Sequence, residues 1–157
     1  MAQFTKIYET YARSVYRFLF ALTGSEDLAE ELLQETFYRA FLHIDRFEGR
    51  SSLYTWLCQI GKNAWLKECR RRGRQDSLEA LTGSTPSAEQ EVFHREEQRR
   101  IRQAVYGLEE PYKEVFILHA YGDVKLKDIA AAYGKSESWA RVTYHRARTR
   151  ILEEVSK

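Results

Sequence analysis

The chain has 157 residues, room for one ordinary domain or two small ones, and its 43% of hydrophobic residues suffices for packed cores and excludes disorder throughout. A formal net charge of +2 is too small to mark a nucleic-acid binder, so the placement of charge has to carry that information. The opening residues lack the apolar core of a signal peptide and no stretch is apolar enough to span a bilayer, so the expectation is a cytoplasmic protein with no membrane insertion of its own.

Every periodic segment has helical spacing and no alternating strand pattern of useful length occurs, so the predicted fold class is all-α. The first helix is expected at about Thr5 to Leu22, with Ile7, Tyr8, Tyr11, Val15, Phe18, Leu19 and Leu22 as its apolar stripe, ending at Gly24. Ser25 caps the second, with Glu26 and Asp27 near its positive end and Leu28, Leu32, Phe37, Phe41 and Ile44 facing inward. Between Phe18 and Tyr38 there is no Lys or Arg, while Glu26, Asp27, Glu30, Glu31 and Glu35 crowd together. After the loop Arg46 to Ser51, Ser52 caps a third helix that buries Leu53, Trp56, Leu57, Ile60 and Ala64 and stops near Gly73. Gly61 in its middle costs something under about 1 kcal/mol relative to Ala and marks close helix packing.

Arg70, Arg71, Arg72 and Arg74 form a basic cluster at the end of that helix. Cys58 and Cys69 lie about three turns apart on it, too far for a disulfide, and read as buried reduced thiols in preference to a redox pair. No Cys/His grouping has metal-ligand spacing, so neither metal nor cofactor is expected.

From Gly73 to Pro86 the apolar pattern fades into Gly, Ser, Thr, Asp and Pro, which predicts a flexible linker with a transient turn at Leu78 to Leu81. Such a linker has an r.m.s. span of roughly 20 Å and reaches about 50 Å when extended. Two small helical domains, 1–72 and 87–157, are therefore expected on either side of 73–86. Ser87 and Gln90 have capping-box spacing at the start of a long charged helix, and Glu110-Pro111 opens another that Gly122 closes.

The last quarter spells a helix-turn-helix. Leu126 to Tyr133 forms a short helix with Ile129, Ala130 and Tyr133 on one side, Gly134 supplies the left-handed break, and Ser136 caps a basic helix. In that helix Ala140, Tyr144, Ala147 and Ile151 form the inward stripe, leaving Ser138, Arg141, Val142, His145 and Arg146 on other faces, where they can enter a DNA major groove. An Arg-rich solvated helix closing a bundle is the plainer reading; the tight capped turn before it favours DNA.

Three runs then stand together in order: Asp27 to Phe37 (DLAEELLQETF), Phe47 to Leu57 (FEGRSSLYTWL) and the terminal helix-turn-helix. This constellation resembles the extracytoplasmic-function sigma factors, bacterial members of the sigma-70 family, over nearly the whole chain. The resemblance implies sigma domain 2 at 1–72 for core polymerase binding and for recognition and melting of the −10 element. It implies a linker at 73–86 and, at 87–157, sigma domain 4 with a helix-turn-helix for the −35 element. The implied role is an accessory subunit and not an enzyme. Its implied partners are core RNA polymerase (the clamp helices of the largest subunit and the flap of the second-largest), promoter DNA and an anti-sigma factor.

The match assigns roles residue by residue. Glu31, Gln34 and Glu35 correspond to the surface pressed on the clamp helices, where carboxylates pair with Arg or Lys; an ordinary acidic solvated face satisfies the same spelling. Phe47 to Trp56 resembles the loop that accepts a base turned out of the −10 element, a step costing a few kcal/mol of stacking and pairing. Phe47, Ser51 and Ser52 would build that pocket, and Asn63, whose amide both donates and accepts, would face it. Simple core packing is the other reading of Phe47 and the favoured one of Trp56. Lys62, Lys67, Arg70 and Arg71 would hold phosphates without reading sequence.

In domain 4 the match places Arg141, Val142, His145 and Arg146 on the −35 element. Arg141 is the first choice for reading guanine, worth about 1 to 3 kcal/mol against a wrong base, and His145 also suits a backbone contact. Ser136 and Ser138 would grip phosphate together with free backbone amides. Trp139 and Tyr144 depart from the small and aliphatic residues usual in the family, which shifts the expected angle of the recognition helix.

A rival from another class is a stand-alone helix-turn-helix regulator, which needs neither an acidic docking helix nor a base pocket. An enzyme is more distant, because His43, His94, His119 and His145 are scattered and no nucleophile–base spacing or phosphate-cradling Gly loop occurs. If the sigma reading holds, the domains are expected to pack together in the free protein and to separate on polymerase.

Overall fold

The computed structural model describes residues 2–73 and 89–157, the side chains of 89–93 excepted. The described residues form α1 (Ala2–Thr23), α2 (Glu26–His43) with a 3-10 turn at Ile44–Arg46, α3 (Leu53–Gly73), α4 (Glu89–Tyr106), α5 (Tyr112–Phe116), α6 (Leu126–Tyr133) and α7 (Glu137–Val155). A single π-helical turn, Ile117–Tyr121, continues α5 up to Gly122. There is no strand among the described residues, as the all-α expectation required. The linker from residue 74 onward, the turn at Leu78 to Leu81 and the Ser87 cap lie outside them.

The first three helices stand where the caps put them. The Ser25 hydroxyl accepts from the Leu28 amide at 3.2 Å and that of Ser52 from the Thr55 amide at 3.1 Å, satisfying donors that the first turn leaves free. Val15, Phe18, Leu19 and Leu22 of α1 meet Leu28, Ala29, Leu32, Phe37 and Ala40 of α2 and Leu57, Cys58, Ala64 and Trp65 of α3 in one core. Gly61 sits where the three cross: a β-carbon there would lie 3.3 Å from both Leu19 Cδ2 and Thr36 Oγ1. Thr36 is itself buried, and its hydroxyl donates to the Leu32 carbonyl at 2.7 Å, so the crossing carries no unpaired polar group.

Two expected inward residues face out. Phe41 is 43% exposed and Tyr8 is 44% exposed, their rings edge-on to Phe4 and Phe37 respectively. Leu53, Trp56 and Ile60 are only half-buried, because α3 turns Cys58, Gly61, Lys62, Trp65 and Cys69 to the interior instead.

In the C-terminal half, α7 packs across α4, α5 and α6. Gly134 adopts φ 67°, ψ 32°, ending α6 in the left-handed conformation, and the Lys135 amide returns to the Ala130 carbonyl at 2.9 Å. Ser136 then caps α7 by accepting from the Trp139 amide at 3.1 Å. Tyr144 stacks on Phe116 at 5.5 Å, and the Arg150 guanidinium lies 4.1 Å above the Tyr112 ring.

The two halves share their apolar interior. Val105, Val115, Ile117, Leu118, Val124 and Ile129 belong to the same buried cluster as Phe18, Leu57 and Trp65, and the π turn packs on both α1 and α3. Polar contacts cross the same boundary: the Tyr54 hydroxyl donates to the Gly122 carbonyl at 2.8 Å, and Arg102 Nε donates to the Leu22 carbonyl at 3.1 Å.

Gly61→Val is expected to destabilise the chain by about 1 to 3 kcal/mol. Gly61→Ala should be near neutral, because its helix-propensity gain of about 1 kcal/mol offsets the tight contact; urea unfolding midpoints check both. Cys58 and Cys69 are free and buried, and burial pushes each thiol from 9.0 up to about 12. Neither should react with a thiol reagent in mildly alkaline native solution, and both should react once unfolded. Because the folded values are raised, the stability they contribute is intact below 9.0 and is lost as pH climbs from there through about 12.

Candidate nucleic-acid interface

α2 presents an acidic edge. Its Leu28 and Leu32 point inward, which leaves Glu31 and Gln34 exposed and Glu35 half-buried, paired to Arg39 Nε at 2.6 Å one turn on. The same edge runs on into Tyr38, Phe41 and Leu42, three large exposed apolar residues that sequence reasoning missed or placed inside. The signal was available: steps of three and four from Gln34 through Tyr38 to Phe41 and Leu42 keep to one side of a helix.

A cleft of about 160 Å³ opens beside the 3-10 turn, lined by Arg46, Phe47, Gly49, Ser51, Trp56 and Gln59. Phe47 and Trp56 form its aromatic wall, their rings tilted with centroids 5.4 Å apart, and Trp56 packs against the core as expected while also lining the cleft. Ser51 lines it as expected, whereas the Ser52 hydroxyl is occupied in capping α3 and lies 2.8 Å from Thr55 Oγ1. Asn63 is exposed on α3 and does not line the cleft; the amide doing so is Gln59, one turn earlier. Among the described residues, Ala132 of α6 also lines the cleft, from far along the chain.

The expected phosphate-holding cations divide. Lys67, Arg70 and Arg71 are exposed toward the end of α3. Lys62 is not with them: its side chain is 4% exposed, and its ammonium sits 3.0 Å from Glu110 Oε2 and 2.9 Å from Glu114 Oε1. Lys62 therefore does not hold phosphate in this arrangement, contrary to expectation, because α3 turns it onto the face covered by the C-terminal half. A buried ammonium has to be paired there. Arg71 and Arg72 share Glu68, which hydrogen bonding by Arg71, and then by Arg72, holds at about 2.

On α7 the five outward residues, Ser138, Arg141, Val142, His145 and Arg146, are all exposed, and Ala140, Ala147 and Ile151 are all buried. Arg141 NH2 lies 3.9 Å from the Glu137 carboxylate in an exposed pair too long to fix it. Ser136 is exposed with its oxygen facing the first free amides. The departing aromatics both find partners: Trp139 tilts against Tyr133 at 5.2 Å and Tyr144 fills the inner stripe. Among the described residues no group of His, Cys, Asp and Glu is placed to hold a metal ion, and no helix is long and apolar enough to cross a membrane.

Residues 7–75 match the family model described as Sigma-70 region 2, and residues 98–151 match Sigma-70, region 4. The chain is 32% identical over 149 residues to the ECF RNA polymerase sigma factor SigM of Bacillus subtilis, an alignment covering 93% of this chain and 91% of SigM. The chain belongs to the extracytoplasmic-function sigma factors. It is 28% identical to the RNA polymerase sigma factor YlaC of the same organism, over 96% of this chain and 91% of YlaC. The fold agrees with that of the sigma factor RpoE in its co-crystal structure with the anti-sigma factor NepR from Bartonella quintana. There the TM-score is 0.59 at 25% identity, covering 99% of this chain and 98% of RpoE. CnrH, in complex with the cytosolic domain of CnrY, shares the fold with a TM-score of 0.58 at 19% identity, over 98% of this chain and 87% of CnrH. The region 2 match thus takes in the acidic edge and the aromatic cleft of this sigma factor, and the region 4 match takes in its helix-turn-helix.

The depressed Glu68 carboxyl contributes stability above its ordinary value of 4.5 that is lost as pH falls through about 2. Glu68→Gln should therefore unfold at lower urea than wild type near neutral pH, with the gap closing as the solution is acidified across that range.

Proposed function

We propose that this sigma factor directs core RNA polymerase to promoters by dividing the work between its halves, 1–72 at the −10 element and 87–157 at the −35 element, with 73–86 between them. The exposed edge of α7 carries this reading: Arg141, Val142, His145 and Arg146 stand on one outward side behind the rigid Gly134 turn, free to enter a major groove. Arg141 reads a guanine, Ser138 grips phosphate at the helix start that Ser136 caps, and His145 supports the backbone.

The acidic edge Glu31, Gln34 and Glu35 docks on the clamp helices of the largest polymerase subunit. Tyr38, Phe41 and Leu42 supply the apolar centre of that contact, a composition suited to a protein interface with a charged rim. The Phe47–Trp56 cleft receives an unstacked base with Ser51 and Gln59 at its edge, while Lys67, Arg70 and Arg71 hold the strand. The helix-turn-helix half meets the flap of the second-largest subunit. An anti-sigma factor, the kind of partner that RpoE has in NepR, covers these surfaces in the resting cell. The chain acts in the cytoplasm and catalyses no reaction itself.

Run-off transcription with purified bacterial core polymerase over genomic fragments tests this reading. Promoter-dependent transcripts and co-elution with core are expected, and Arg141→Ala should lower −35 affinity by about 1 to 3 kcal/mol at guanine-bearing sites. A chain that ignores core polymerase yet grips a two-fold operator unaided would establish a stand-alone regulator instead.

A further inference from the structure

Lys62 stands among the cations of α3, yet it alone of Lys62, Lys67, Arg70 and Arg71 is buried, and what buries it is the other half of the protein. Two carboxylates reach it from the start of α5. Glu114 is 7% exposed and is itself anchored: its carboxylate accepts from the Tyr133 hydroxyl of α6 and from Gln59 Nε2 of α3 at 3.4 Å. Glu110 Oε1 accepts from the Glu114 amide at 2.8 Å, which leaves Oε2 for Lys62. The amine therefore sits between two acidic oxygens held in place by three elements, much as it would sit between phosphate oxygens. Lys62 and Glu114 are both buried while Glu110 is half-exposed, and a buried pair adds little net stability but penalises any arrangement in which one partner stays buried alone.

The same closure brings α6 to the rim of the aromatic cleft, which Ala132 lines together with Phe47, Trp56 and Gln59. Gln59 takes part in both, lining the cleft and donating to Glu114. Nothing comparable happens at the other DNA surface: Ser138, Arg141, Val142, His145 and Arg146 remain exposed in the closed chain.

We propose that Glu110 and Glu114 form a self-inhibitory carboxylate pair that stands in for DNA phosphate at Lys62 and, by seating α6 against the Phe47–Trp56 cleft, closes the free chain to single-stranded promoter DNA while leaving the recognition helix open. This rests on the reading of the cleft and of α3 as the single-strand surface. Separation of the halves releases the Lys62 ammonium to the strand, so the latch and the DNA contact share one amine and exclude each other. The closed protein can sample −35 duplex but holds a melted strand only after polymerase has parted its halves.

The test uses the full chain without polymerase. The probe is a fluorescent single-stranded oligonucleotide spanning the −10 element of a promoter from which the holoenzyme initiates, with the matching −35 duplex as control. A Glu110→Gln, Glu114→Gln double variant should bind the single strand about tenfold more tightly than wild type, since apparent affinity scales with the open fraction. Its −35 affinity should stay unchanged, and fluorophores on α2 and α7 should report a longer distance. Ala132→Gln leaves the carboxylates in place, alters only the half-exposed face of α6 at the cleft, and should tighten single-strand binding in the same direction. It decides the matter if the double variant does not fold. Folded variants that bind the strand as weakly as wild type, with a holoenzyme that still initiates, overturn the latch. Absence of transcripts from every chain, wild type included, overturns the underlying sigma reading instead.

Discussion

α3 is buried from two sides, and the rest of the molecule is arranged around that fact. Leu57 and Ala64 belong with α1 and α2, while Lys62 and Tyr54 reach residues of the C-terminal half. A helix that carries Gly, Lys and two Cys on its inner faces cannot close a core with one neighbour; it needs α1 and α2 to cover Gly61 and α5 with the π turn to cover Lys62. The lone ammonium on that interior makes Glu110 and Glu114 obligatory wherever the halves meet, because an unpaired charge at that depth costs several kcal/mol.

Around this interior the charges cluster by sign, with local pairs such as Glu35–Arg39 and Glu68–Arg71 inside the clusters. Acid collects on α2, base on the distal half of α3 and on the outer side of α7, and the near-neutral total conceals the sorting. At Lys62 acid from one half does meet base from the other.

Much of the architecture was legible along the chain. The caps Ser25, Ser52 and Ser136 and the left-handed Gly134 were readable because capping and turn chemistry depend on residues within about one helical turn. The outward edge of α7 was readable for the same reason: its exposed residues are those that its own apolar stripe excludes. The candidate cleft was legible in part. Phe47 and Ser51 line it as expected, but Ser52 is taken by its cap, Asn63 is displaced by Gln59, and Trp56 joins the wall.

By itself the sequence determined the helices, the caps at Ser25, Ser52 and Ser136, the helix-turn-helix and the family, since each depends on local periodicity, on capping or on motifs kept in order. Tertiary structure alone decided which cations face solvent and that Lys62 is spoken for by Glu110 and Glu114. Those outcomes turn on groups that are 48 and 52 positions apart in the case of Lys62, and helical spacing cannot say which distant surface will cover a given face.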